Sequence, residues 1–167
     1  APKVGGIESV MTNIAQHASS KRNKITVLSD GSKLSSSDFD NKCKFDIYRF
    51  DQIKFLRKRI KLSFAQNFLK KNKTDIIFFD SWKSLELFNN NTDIKKICLA
   101  HGNEILKLRN KHKILNSLNK ADLIIYNSQF TKNKTFKNFK ILKKINHKII
   151  YPAFIKKISK NKNNKKK

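Results

Sequence analysis

A chain of 167 residues with 38% hydrophobic residues and thirteen Phe has the length of one domain and the apolar material for a core, which excludes a wholly disordered polypeptide. The formal charge of +26 admits two readings. One is a polyanionic partner such as nucleic acid or an anionic membrane surface; the other is coding bias toward A and T, which enriches Lys, Asn, Ile and Phe while depleting Arg, Gly, Pro and Ala.

Taken in chain order, Ile7, Val10, Met11, Ile14, Ala15 and Ala18 repeat at helical spacing, so a helix is predicted directly after Gly5-Gly6. Lys24 to Leu28 is β-branched and bounded by Asp30-Gly31 and a Ser run, which predicts a strand leading into a loop. Phe45 to Phe50 is a second strand candidate. From Leu56 to Lys71, the positions Leu56, Ile60, Phe64, Phe68 and Leu69 lie three and four apart among Lys and Arg, the pattern of a basic amphipathic helix.

Thr74 to Phe79 is an almost unbroken apolar run, expected as a strand buried on both faces, and it ends at Asp80-Ser81-Trp82. A short helix around Leu85 to Phe88 precedes another buried strand, Ile97 to Ala100, which stops at His101-Gly102-Asn103-Glu104. Helical spacing resumes through Ile105, Leu108, Ile114, Leu115 and Leu118. Asp122 to Tyr126 is the next strand, and Ser128 is placed to cap a helix carrying Phe130, Phe136 and Phe139. Lys148 to Tyr151 is the last strand candidate, closed by Pro152. The segment 155–167 is almost wholly Lys, Asn and Ser and is expected to be a disordered basic tail. Alternating strands and helices predict an α/β class with a parallel sheet covered by helices on both faces.

Cys43 and Cys98 lie far apart without CxxC spacing, so free thiols are expected rather than a zinc site or a disulfide framework. No run approaches the roughly 20 apolar residues that cross a bilayer. No signal-peptide pattern opens the chain, so a cytoplasmic location is expected. The first residue is Ala rather than Met, which leaves open a start inside a longer polypeptide.

Ligands of open parallel α/β sheets bind beyond the carboxyl ends of the strands. Three polar features occupy that edge here. Gly5 and Gly6 open the first helix, where backbone amides and the helix dipole favour an anion; a tight turn chosen for its φ angles is the alternative. Neither a GxGxxG nor a Walker A sequence is present, which removes the dinucleotide and P-loop fingerprints. His101 at a strand end could donate to a substrate hydroxyl or stabilise charge developing beside it. Glu104 either contacts substrate or complements the dipole of the next helix. Asp80, Ser81 and Trp82 form the third feature, with Trp82 either a stacking platform for an acceptor or a core residue. His17, His112 and His147 show no partner pattern.

APKVGGIESVMTNIA, ITVLSD, DIIFFDSW, ICLAHGNEIL, ADLIIYNSQFT and IIYPAF, in this order, resemble the N-terminal domain of family-four retaining glycosyltransferases, over residues 1–154. That group includes phosphatidylinositol mannosyltransferases and many lipopolysaccharide and capsule enzymes. The resemblance implies half of a two-domain GT-B fold, with a Rossmann-like acceptor-side domain facing a donor-binding domain across a cleft. It implies sugar transfer from a nucleotide-sugar to a glycan or lipid acceptor with retention, and it implies no metal or other cofactor. Carried over by residue, Gly5 and Gly6 are donor-binding, His101 is catalytic, and Asp80, Ser81, Trp82 and Glu104 lie toward the acceptor. Asn127 and Ser128 match a strand-end motif.

The departures carry as much weight. The family has an apolar first strand before the glycine loop and a donor-binding domain after the last segment, where Pro152 is followed here by Ala153 rather than Gly. The expectation is an incomplete domain, inactive alone. A basic nucleic-acid-binding or anionic-membrane-binding module and an inactive truncated relic remain as alternatives.

Overall fold

The computed structural model describes residues 5–88, 93–105 and 110–152. The expected basic tail, Leu108, and the outermost residues of the family resemblance lie outside them. The element order is α1 (Gly6–Ser20), β1 (Thr26–Asp30), α2 (Ser37–Asp40), β2 (Asp46–Phe50), α3 (Lys54–Lys71), β3 (Ile76–Phe79), α4 (Trp82–Leu85), β4 (Lys95–Ala100), α5 (Gly102–Ile105), α6 (Lys111–Leu118), β5 (Leu123–Tyr126), α7 (Gln129–Asn138) and β6 (His147–Ile149). All strand pairs are parallel, as the alternating pattern requires. The strands divide into two sheets, a two-stranded one of order β1-β2 and a four-stranded one of order β3-β4-β5-β6.

Side-chain alternation assigns the faces. On β2, Tyr48 and Phe50 turn toward α3, where Phe64 lies 4.6 Å and 5.5 Å from their ring centroids. Arg49, on the opposite face, is held by Asp40 at the end of α2. The small sheet is therefore sandwiched between helices. The large sheet buries Phe79, Cys98, Ala100, Ile124 and Tyr126 in one core with Trp82, Leu85, Ile114, Leu118 and Leu142, and Leu62 and Leu69 of α3 pack against that core. Helix α3 thus touches both sheets and fixes them side by side. Ion pairs reinforce the link: Arg57 and Lys61 reach Asp30 at the end of β1, while Lys58 reaches Glu86 just after α4.

Several elements differ from their sequence expectations. Strand β3 is not buried on both faces, because Ile76 and Phe78 are exposed while Phe79 is buried. Helix α3 lacks a single buried stripe: its apolar residues divide between the two sheets, and Phe55, Leu56 and Ile60 remain exposed with no fully buried side chain along the helix. The Ser run expected as loop contains a 3-10 turn at Leu34–Ser36 and the short helix α2. A further 3-10 turn, Lys140–Lys144, buries Leu142 against the large sheet. Both cysteines are free, as expected.

Candidate active site

The parallel register brings the strand ends into line. Phe79 pairs with Cys98, and Ala100 with Tyr126, so Asp80-Ser81, His101 and Asn127-Ser128 follow adjacent strands at one edge of the large sheet. The edge is tied together locally. Asp80 Oδ1 accepts from Ser81 Oγ at 3.3 Å and from Ser84 Oγ, which holds the carboxylate over the first turn of α4. The Trp82 indole donates to the backbone oxygen of Glu104 at 3.3 Å, and Lys83 pairs with Glu104 Oε1 at 3.3 Å, so α4 and α5 are fastened to each other.

Within that frame, two polar atoms stand out. His101 Nε2 and Glu104 Oε2 are both enclosed by protein and have no hydrogen-bond partner among the described residues. Each such group costs roughly 1–3 kcal/mol relative to a satisfied one. Cys98 beneath them is no candidate nucleophile. Burial pushes its thiol far above the ordinary range, and the charges of Asp80 and Glu104 push it further, so the thiolate does not form.

Trp82 requires a correction. The ring is only 4% exposed and belongs to the core, so it presents no face on which an acceptor could stack. Ser81 is likewise buried, with its hydroxyl turned to Asp80. Asp80 and Glu104 remain partly accessible. The glycine pair also differs from the tight-turn reading: Gly5 is extended, with φ −136° and ψ 150°, and among the described glycines only Gly31 has positive φ. A Cβ at Gly5 would collide with the Glu8 carboxylate, so that carboxylate lies over the start of α1, where an anion is expected. A Cβ at Gly6 would meet nothing within 4 Å. Among the described residues, no hydrogen bond or ion pair links Gly5 or Gly6 to the His101 cluster.

Asn127 and Ser128 act on structure. Ser128 Oγ accepts from the Thr131 N–H at 3.1 Å, the N-cap expected for α7. Thr131 Oγ1 in turn donates to Asn127 Oδ1 at 2.9 Å and stands 3.2 Å from where a Gly102 Cβ would be. The glycine after His101 therefore permits close approach of α5 to α7. Ser128→Ala is expected to cost about 1 kcal/mol by urea melting, since it removes the cap. An unchanged midpoint would show the cap to be redundant. Thr131 and Lys83 were not singled out by sequence; Thr131 stands three residues after a cap, a spacing that signals one, whereas Lys83 had no signal.

Among the described residues no helix is long and apolar enough to cross a membrane, and no group of three or more His, Cys, Asp or Glu could hold a metal ion. No curated protein and no solved structure matches the chain. Residues 4–153 match the family pattern of Glycosyltransferase Family 4, which covers every strand and helix described above. With parallel sheets, alternating helices and a polar strand edge of the expected order, the chain belongs to glycosyltransferase family 4.

Proposed function

We propose that this chain is the acceptor-side half of a retaining glycosyltransferase that moves a sugar from a nucleotide-sugar to a glycan or lipid acceptor. Residues 1–154 form the domain and 155–167 its basic tail, and the protein works in the cytoplasm. The observation that carries this reading is the enclosed His101 Nε2 at a strand end, with Glu104 Oε2 three residues on, both without a hydrogen-bond partner among the described residues.

In the proposed reaction the bond from the anomeric carbon to the donor phosphate breaks, and the nucleotide diphosphate leaves with the electron pair. The acceptor oxygen forms the new bond on the same face and passes its proton to the departing diphosphate oxygen. His101 donates to a sugar hydroxyl and steadies charge near the anomeric carbon, as a fixed donor in a dry site does. Glu104 and Asp80 accept from acceptor hydroxyls, and the start of α1 with Gly5 and Gly6 faces the diphosphate. Binding that anion requires the Glu8 carboxylate to swing away. The basic clamp on the diphosphate comes from a donor-binding domain, so the chain alone has no activity.

The test pairs the chain with a donor-binding domain of the same family and screens sugar nucleotides for transfer. His101→Ala is expected to lower kcat by about 10²–10³-fold, as loss of one such donor does. Unchanged transfer in that variant, or turnover by the isolated chain, would overturn the reading.

A second reading concerns where the enzyme sits. Ile53, Phe55, Leu56 and Ile60 are exposed at the start of α3, interleaved with Arg57, Lys58, Arg59 and Lys61. Arg59 lies over the Phe55 ring at 4.8 Å. Apolar side chains set among cations suit insertion at an anionic lipid surface, with the proteins's acceptor edge brought to a lipid substrate. Neutralising the four cations is expected to abolish binding to phosphatidylglycerol vesicles, and retained binding would reject α3 as the anchor.

A further inference from the structure

The acidic residues of this chain are not spread evenly. All twelve lie at or before Asp122, and beyond it come fourteen Lys with no Asp, Glu or Arg. Coding bias raises Lys along the whole chain but gives no reason for acids to vanish from one stretch. Among the described residues, no ion pair involves a lysine of that stretch. Helix α7 lies within it and is therefore a cationic element without internal neutralisation.

The two sides of α7 differ in kind. Thr131 and Thr135 are buried, whereas Gln129, Phe130, Asn133, Lys134 and Lys137 are exposed. These five share an arc of about 140°, since each residue turns the helix by about 100°. Phe130 is 65% exposed. Beside it, Gln129 Nε2 donates to Asn133 Oδ1 at 2.6 Å. Whichever way the two amides are turned, that bond leaves the other oxygen to accept and the other NH2 to donate. A fixed acceptor beside a fixed donor matches two neighbouring sugar hydroxyls, one donating and one accepting. The Phe130 ring offers an electron-rich flat face to the C–H side of a sugar ring. Lys134 and Lys137 stand three residues apart, about 4.5 Å along the axis, a spacing comparable to one sugar ring.

The stripe starts beside the candidate active site. Ser128 caps α7 at the carboxyl end of β5, and the Thr131 hydroxyl is 3.2 Å from where a Gly102 Cβ would be. The first turn of α7 thus packs against the residue that follows His101, and the stripe leads away from there. From this arrangement we infer that the outer face of α7 binds an acidic glycan, a chain of sugar rings carrying carboxylates. Phe130 lies under one ring, the Gln129–Asn133 pair meets its hydroxyls, and Lys134 and Lys137 meet carboxylates. The choice of a glycan rests on the glycosyltransferase reading, and it makes the acceptor an acidic polymer held beyond the reacting sugar. Single-stranded nucleic acid is gripped by aromatics that stack successive bases, and a lipid surface by several apolar side chains. Phe130 is the one exposed large apolar residue of α7.

Calorimetric titration of the full chain with hexagalacturonate tests this, with the fully methyl-esterified hexamer as the uncharged counterpart and hexauridylate as the nucleic-acid counterpart. The expected result is saturable binding to hexagalacturonate, weaker by about tenfold or more for the ester and for the RNA. Phe130→Ala is expected to weaken it about tenfold, as is the pair Lys134→Gln and Lys137→Gln, while Phe130→Trp retains it. The pair Lys21→Gln and Lys24→Gln, two exposed cations outside the stripe, leaves it unchanged. No binding, equal loss with the Lys21 and Lys24 pair, or RNA bound as tightly and with the same dependence on Phe130 each overturns the inference. Sugar transfer by the chain paired with a donor-binding domain is read separately. Phe130-dependent binding without transfer keeps this site and removes the glycosyltransferase reading, whereas transfer to acidic glycans that is unchanged in Phe130→Ala removes this site and keeps that reading.

Discussion

Trp82→Ala is expected to destabilise the chain by about 3–5 kcal/mol, the cost of emptying a large aromatic site in a packed core. The ring is buried with Phe79, Leu85 and Phe88, and its nitrogen donates to the Glu104 backbone. Truncation removes the packing and leaves that carbonyl without its donor, so the helix carrying His101's neighbours loosens together with the core. Urea melting with tryptophan-independent detection, such as far-ultraviolet circular dichroism, reads the effect. A midpoint within error of the parent would mean that the ring does not pack as described and would reopen its role as a stacking surface. Trp82→Phe is expected to recover most of the stability but not the bond to Glu104.

The second large effect lies at the opposite end of the same sheet. Asp122 Oδ2 accepts from the Lys96 N–H at 2.7 Å, and the nearly buried Lys96 ammonium lies 3.6 Å away. The backbone bond, foremost, holds the Asp122 carboxyl below the ordinary aspartate range, with the charges of Lys96 and Lys95 adding to it and partial burial opposing. A group whose folded pKa is depressed stabilises the fold above its unfolded pKa, and that contribution is lost as pH falls through the folded value. Asp122→Asn is therefore expected to cost about 1.5 kcal/mol near neutral pH, a figure discounted because the carboxylate is partly exposed. The difference from the parent should shrink as pH falls below the ordinary aspartate range. A pH-independent difference would assign the loss to packing rather than charge. Glu86, held low chiefly by its hydrogen bond from Lys58, contributes to the acid sensitivity of the parent in the same direction.

How far the sequence reached depended on which forces decide each element. The strands Ile97–Ala100 and Asp122–Tyr126 were legible because buried parallel strands are written as apolar runs, and both form within two residues of their expected ends. Ser128 was legible because a cap acts over three residues. Phe78 misled, because its burial depends on neighbours beyond its own strand rather than on its hydrophobicity. Leu56 and Ile60 misled similarly: helical spacing gave the face but not whether anything packs against it. At the site, His101 was marked by its place after an apolar strand. The contrast between its unpartnered nitrogen and the saturated Trp82 and Ser81 is a three-dimensional property with no trace in spacing. The family order of motifs named the fold, yet each residue's role depended on where its hydrogen bonds ended.

The bridging position of α3 bears on how the molecule comes apart. Residues 26–50 make their strand pairs among themselves, as do residues 76–149, and the two groups meet chiefly through one helix whose side chains are nowhere fully buried. Cooperativity travels through buried contact, so a joint of this kind separates two local opening events from one another. The four-stranded sheet, with the larger core, is expected to be the slower unit to open, with the small sheet exchanging its amides and reclosing while its neighbour stays folded. Stability in this chain is thus graded along the sequence, with α3 as the step between two levels.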